Sequence, residues 1–296
     1  SPYYRDICRV NIDTDELVPL ASGDYEHLVY VATDKSPAVR TAFGLDSDGV
    51  SGISPSGDYL VTTYSRVDTA PVSVLIDREG REVLTLETAD VSALPADWQW
   101  PEPVKLTGAD GETDIYGVVY RPPGFTESQS YPVLDFSCGH PAFTHVPQGS
   151  FVNGPCFDMP YLSGAAFAAL GFVVVAWEGR GTPYREKAFQ DVSYGCVASA
   201  SNFEDRITGI QQLAKQYPYM DLDRVGIVGS DGIPDPVHGL LEHPEFYKVG
   251  VALDFPDARF GFAAIAEQFE GLSINDGKRN PTPTHRQYDY AENRVQ

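Results

Sequence analysis

The chain has 296 residues, 42% hydrophobic and 21% charged, with 27 Gly and 23 Pro, which excludes disorder, collagen and coiled coil and supplies ample apolar material for a core. Against 21 Lys and Arg stand 42 Asp and Glu, a formal charge of -21 that repels a phosphate backbone, so nucleic acid is not expected as a partner. The richest apolar run, residues 164–177, is interrupted by Gly171 and falls short of the roughly 18 residues of a membrane span, so no membrane span and a soluble protein are expected.

Residues 1–97 alternate short apolar runs with turn residues. Strands are expected at 8–12, 28–31, 59–64 and 72–76, with turns at 13–15, 54–57 and 77–80, because period-two patterning bounded by Asp, Gly and Pro is strand grammar. That spacing suits an antiparallel meander, such as a propeller blade or two. Residues 95–103, rich in Pro and carrying Trp98 and Trp100, read as a crossing between domains.

From Val104 the grammar changes. Strands at 114–120 and 131–136 precede an Ala-rich helix at 162–170, which ends at Gly171 and feeds the all-apolar strand 172–177, half of a βαβ unit. A second copy follows: a helix over 202–217, with apolar residues at Phe203, Ile207, Ile210 and Leu213, leads into a strand at 224–229. A helix at 237–241 and a strand at 249–253 come next, and no further strand is expected after about Gly271. The expected fold class is α/β: a mostly parallel sheet covered by helices on both faces over 98–296, incomplete at its C-terminus, preceded by the antiparallel β-rich segment 1–97.

Cys8, Cys138, Cys156 and Cys196 lie far apart, with neither C-x-x-C nor a Cys/His ligand cluster, so no metal site is expected and the redox state stays open. The first residues, Ser-Pro-Tyr-Tyr-Arg-Asp, lack the basic and apolar stretches of a signal peptide; either the chain is not exported or it begins after a lost segment.

The strand that ends at Gly229, a Gly-Ser-Asp-Gly turn and a following helix occupy the place of a nucleophile elbow, where small residues flank a strained turn. Asp-Gly-Glu-Thr-Asp-Ile-Tyr-Gly from Asp110, Ser-Tyr-Pro-Val-Leu-Asp-Phe from Ser130, Gly-Arg-Gly-Thr-Pro from Gly179 and Tyr-Pro-Tyr-Met-Asp-Leu-Asp-Arg-Val-Gly-Ile from Tyr217 follow in order. In that order they resemble the catalytic domain of the prolyl oligopeptidase and dipeptidyl peptidase IV family of serine peptidases, and residues 58–76 resemble the end of its β-propeller. The resemblance implies an α/β-hydrolase fold, cleavage of dipeptides from peptide N-termini, a peptide substrate or ligand, no cofactor, and an extracellular or periplasmic setting. A homo-oligomer is also compatible with it, because an open propeller edge invites pairing.

The family's Gly-x-Ser-x-Gly-Gly falls on Gly229-Ser230-Asp231-Gly232-Ile233-Pro234, so Asp231 occupies the nucleophile position and Ile233 and Pro234 replace two glycines. Reading Ser230 as the nucleophile would put Val228 two positions before it. The family's oxyanion tyrosine falls on Cys138, in Ser137-Cys138-Gly139-His140-Pro141, and a thiol is a weak donor; the second donor, the backbone N–H after the nucleophile, falls on Gly232. The family's acid and base follow the elbow. Of His27, His140, His145, His238, His243 and His285, only His285 lies well beyond it, with no strand before it to hold a base; His27, His238 and His243 read as surface or helix-end residues.

Phe260 and Phe262, with Phe269, fall where the family walls its substrate pocket, and are equally ordinary core residues. Glu204 and Asp205 read as partners of a helix N-terminus, and residues 179–182 as scaffold. The expectation is a peptidase relative that is inactive or strongly impaired. Three alternatives stay open: an active serine peptidase using Ser230, an α/β-hydrolase with Asp231 as carboxylate nucleophile, and a non-catalytic interaction module.

Overall fold

The computed structural model describes residues 1–29, 52–137, 146–151, 160–193, 202–229 and 236–252, together with two short strands near the C-terminus. In the N-terminal part, β1 (Ile7–Val10) and β2 (Leu17–Ala21) form an antiparallel hairpin. Next to it β3 (Glu26–Leu28), β4 (Tyr59–Ser65), β5 (Val72–Asp77) and β6 (Glu82–Thr88) form an antiparallel sheet in chain order. Its small core is Leu60, Val74 and Ile76, covered by Ile7, Leu20 and Ala21 of the hairpin. The turn after β5 is closed by Gly80, at φ 81°; it lies so tightly on the backbone of Leu20 that no side chain fits. β2 and β6 carry no clear period-two signal, and β6 is exposed at every residue.

The second sheet contains β7 (Glu102–Thr107), β8 (Asp114–Tyr120), β9 (Tyr131–Ser137), β10 (Val173–Trp177), β11 (Met220–Gly229) and β12 (Tyr247–Ala252). Its spatial order is β12-β11-β9-β10-β8-β7. The pairings of β9 with β10, β9 with β11 and β11 with β12 are parallel, whereas β8 runs antiparallel to β10 and to β7. All five residues of β10 are buried, the reason this strand reads as an unbroken apolar run. β7 begins inside the stretch read as a crossing; Pro103 is tolerated there because β7 is the edge strand.

Among the described residues the α-helices are α1 (Pro160–Ala169), α2 (Lys187–Gln190), α3 (Phe203–Gln216) and α4 (Pro236–Glu242). From β9 the chain passes through α1 to one neighbour, β10; from β10 it passes through α3 across β9 to β11. Right-handed crossovers in opposite directions put α1 and α3 on opposite faces. Phe167 of α1 meets Phe136 of β9 at 5.6 Å between ring centroids. On the other face Gly209 of α3 receives Trp177, and a Cβ there would be 2.7 Å from the indole. α3 starts where its N-cap side chain, Asn202, accepts from the Asp205 N–H at 2.9 Å, and ends at the expected Tyr217.

The two regions touch through the turn between β4 and β5. Val67, 2% exposed, belongs to the core of the second sheet, the Tyr161 hydroxyl donates to its carbonyl at 3.2 Å, and the Ser150 hydroxyl donates to the Thr69 carbonyl. Near the C-terminus, Tyr288–Asp289 and Arg294–Val295 pair antiparallel. This corrects the expectation of no strand after Gly271; a ladder of two residues leaves no periodicity to read.

A candidate active-site edge

In a parallel α/β sheet the helices that follow two neighbouring strands leave on opposite faces where the strand order reverses, here between β9 and β10, and the crevice between them opens at the carboxyl ends of the strands. Here that edge is built by β9, β10, β11 and β12. Gly229, the last residue of β11, is opposite Ser137, the last of β9, and opposite Ala252, the last of β12, so three strands end level. β10 parts from β9 earlier: their ladder stops at Val175 and Asp135, leaving the carbonyls of Phe136 and Trp177 beyond its end.

A guanidinium occupies the space where the strands separate. Arg206, on the inner face of α3, and Asp135, on β9, are both fully buried. Arg206 Nε donates to Asp135 Oδ2 at 3.0 Å and Nη2 donates to Oδ1, a bidentate pairing. The same side chain donates to the Phe136 carbonyl at 2.9 Å and the Trp177 carbonyl at 3.3 Å. Tyr247 of β12 donates its hydroxyl to Asp135 Oδ2 at 2.8 Å. Burial opposes the charge on Arg206, but Asp135 more than offsets it and the guanidinium pKa lies above its ordinary value. Burial, followed by the Asp135 charge, pushes the Tyr247 phenol well up, so it remains a donor.

Glu178, the residue after β10, is fully buried; its N–H donates to the Tyr116 carbonyl at 3.1 Å, and its Oε1 accepts from the Val146 N–H at 3.1 Å. Beside it the Gly179–Thr182 stretch is tied down. Arg180 forks onto the buried carboxylate of Asp205 and reaches Asp110 at 3.0 Å, while Thr182 donates to the Gly179 carbonyl at 3.0 Å. Asp205 also accepts from the N–H groups of Ala109 and Arg180. It is therefore a clamp between α3, the β7–β8 turn and this loop, which corrects its reading as a helix-end charge alone. Hydrogen bonds from Thr113, then from the Glu112 N–H, with Arg180 adding to them, hold the Asp110 carboxyl down at about 2.

Of the residues singled out in the sequence, Ser230, Asp231, Gly232, Cys138, Phe260, Phe262 and His285 lie outside the described residues, as do His140 and His145. The described residues bring up to this edge the strands that lead into two of those stretches, Ser137 directly before Cys138 and Gly229 directly before Ser230. His243 follows α4, its ring 5.7 Å from that of Phe203. His27 is 7% exposed in β3, with Nδ1 3.2 Å from the Arg5 carbonyl; this corrects its reading as a surface residue, because β3 is covered where β4 pairs with it. Cys8 is exposed.

Sequence reasoning missed the Asp135–Arg206–Tyr247 network. The signal was a charge within an apolar strand and another on the apolar stripe of a helix, three residues after Phe203 and four before Ile210. Among the described residues no group of three or more His, Cys, Asp or Glu could hold a metal, and no helix is long and apolar enough to cross a membrane. A surface groove of about 590 Å³ beside Lys215, Met220 and Asp221 lies at the amino end of β11, away from the crevice.

A sequence profile of the prolyl oligopeptidase family matches residues 161–280. Dipeptidyl peptidase 8 of Mus musculus is 31% identical over 157 residues, which cover 53% of this chain and 17% of the relative. The Homo sapiens dipeptidyl peptidase 8 is 28% identical over 261 residues, 82% of this chain and 28% of the relative. This chain thus spans less than a third of the length of either. The crystal structure of Porphyromonas gingivalis dipeptidyl peptidase 4 shares the fold, with a TM-score of 0.63 at 23% identity, over 91% of this chain and 34% of that one. The mixed sheet, the profile match over residues 161–280 and these relatives agree: the chain is similar to the prolyl oligopeptidase family.

Proposed function

We propose that this protein binds peptides at the carboxyl edge of its parallel strands, as a relative of the dipeptidyl peptidases whose peptide hydrolysis is abolished or strongly impaired. The observation that carries this reading is the level pairing of Gly229 with Ser137. It brings together the ends of the two strands that precede, in sequence, Ser230-Asp231-Gly232 and Cys138-Gly139, the stretches that resemble the family's nucleophile turn and oxyanion loop. Each carries a residue unsuited to peptide cleavage. An Asp231 carboxylate that attacked a peptide carbonyl would be a better leaving group than the amine, so the adduct would collapse back. A Cys138 thiol is a poor replacement for a phenol as donor, and losing one such donor costs about 10²–10³ in kcat.

The names of the relatives support peptides with a free N-terminus as the ligand class. Residues 98–296 act in this reading as the hydrolase-like domain, and residues 1–97, with their four-stranded meander, as part of a propeller-like segment. The test is treatment with a fluorophosphonate probe, mapping of any adduct by mass spectrometry, and a parallel assay of amine release from a chromogenic dipeptide with Pro second. No adduct and no release are expected. Labelling at Ser230, or release abolished by Ser230→Ala, would overturn the inactive reading in favour of a serine peptidase. Calorimetric titration with the peptide Gly-Pro-Ala is expected to show binding, and its absence would remove the peptide-binding half.

A further inference from the structure

The buried ion pair does something that a salt bridge needed only for cohesion would not. We infer that Arg206 is a positioning residue that fixes the described chain on either side of residues 138–145, at Phe136 and at Val146. At the near end Arg206 donates to the carbonyl of Phe136, the residue before Ser137. At the far end it donates to the carbonyl of Trp177, which orients the peptide that carries Glu178; the Glu178 carboxylate accepts the Val146 N–H. Between Phe136 and Trp177 no ladder pairing remains, since β9 and β10 stop pairing at Asp135 and Val175. The guanidinium thus replaces strand hydrogen bonds where the crevice must open, and its planar fork reaches a carboxylate and two carbonyls at once.

Asp135 and Tyr247 hold the fork in turn. Asp135 receives Nε and Nη2, and Tyr247 fills another acceptor site of the same carboxylate from β12. A buried ion pair by itself is weak evidence of stabilisation, because an apolar pair of similar volume often serves as well. The consequence for ligand binding rests on the peptide-binding reading above; the placement of Phe136 and Val146 does not.

The experiment is hydrogen exchange on the double variant Asp135→Leu with Arg206→Met and, separately, on Arg206→Lys. The double variant removes the partners of the Tyr247 hydroxyl and of the two carbonyls and is expected to lower the urea midpoint while the protein stays folded. Its Val146 and Glu178 amides are expected to exchange at least about tenfold faster, while those of Val133 and Val173, within the ladder, change less. Arg206→Lys is expected to show the same local loosening, because one ammonium cannot span the carboxylate and both carbonyls. Unchanged exchange at Val146 and Glu178 in the folded variants would overturn the inference, and so would an equal rise throughout the sheet, the mark of lost core stability alone.

Discussion

The two regions of this molecule spend similar residues in different ways. In the N-terminal meander no described ion pair is buried at both ends: Arg78 meets Asp58 at 3.6 Å with side chains 58% and 49% exposed, and even the buried Glu26 carboxylate is paired with Arg5, 64% exposed; fully exposed pairs contribute about 0–1 kcal/mol. Its outer strand leaves Val83 and Leu84 more than half exposed. In the second sheet the pair of Arg206 with Asp135 is fully buried, and apolar side chains enclose it. The meander therefore depends on its neighbours, the β1–β2 hairpin and the docking of Val67, whereas the second sheet carries its own core and can hold a charge in place within it. Rigid geometry at the carboxyl edge follows from that enclosure.

Three variants break or sharpen this contrast. The largest effect is expected from Arg206→Met alone, which strands Asp135 as a buried unpaired carboxylate; urea unfolding should register a loss of about 3–5 kcal/mol. A loss no greater than that of a surface pair would erase the distinction between the regions. An intermediate effect is expected from Val67→Ala, at roughly 1–3 kcal/mol from lost burial and the cavity left behind. Because Val67 is where the meander enters the larger core, calorimetry should show the thermal transition broadening or splitting as the meander melts earlier. A uniform shift of one sharp transition would mean that the regions do not uncouple there.

The smallest effect belongs to Asp110→Asn. The Asp110 carboxyl titrates near 2 in the folded protein, below its unfolded value of about 3.9. Its stabilisation is therefore complete above pH about 4 and is lost as pH falls toward 2. The difference in stability between parent and variant should be constant near neutral pH and shrink through that acid window. A difference that does not change with pH would show that the Thr113 and Arg180 contacts act without regard to the carboxylate charge.

Much of the fold was legible because the patterns were local. Strand Asp114–Tyr120 and the span of α3, from its Asn202 cap to Tyr217, agree with the sequence reading to the residue. Strand β6 was not legible, since a strand exposed along both faces has no reason to alternate, and β7 was hidden by prolines that only an edge strand tolerates. At the candidate site the strands leading to the elbow and to Cys138 could be read, but Asp135 and Arg206 could not be joined. They are 71 residues apart, and each alone looks like a flaw in an apolar pattern.

The sequence by itself determined the α/β class, the order of the main strands and helices from β8 to β12, and the family resemblance with Asp231 and Cys138 as its departures. These rest on periodicity, turn chemistry and motif order, which are properties of neighbouring residues. Only the tertiary structure decided that Gly229 and Ser137 end level, that Asp205 clamps three elements, and that Arg206 holds open the place where β9 and β10 part. Each of these requires segments distant along the chain to meet in a water-free interior, where a charge persists only beside the partner that the fold brings to it.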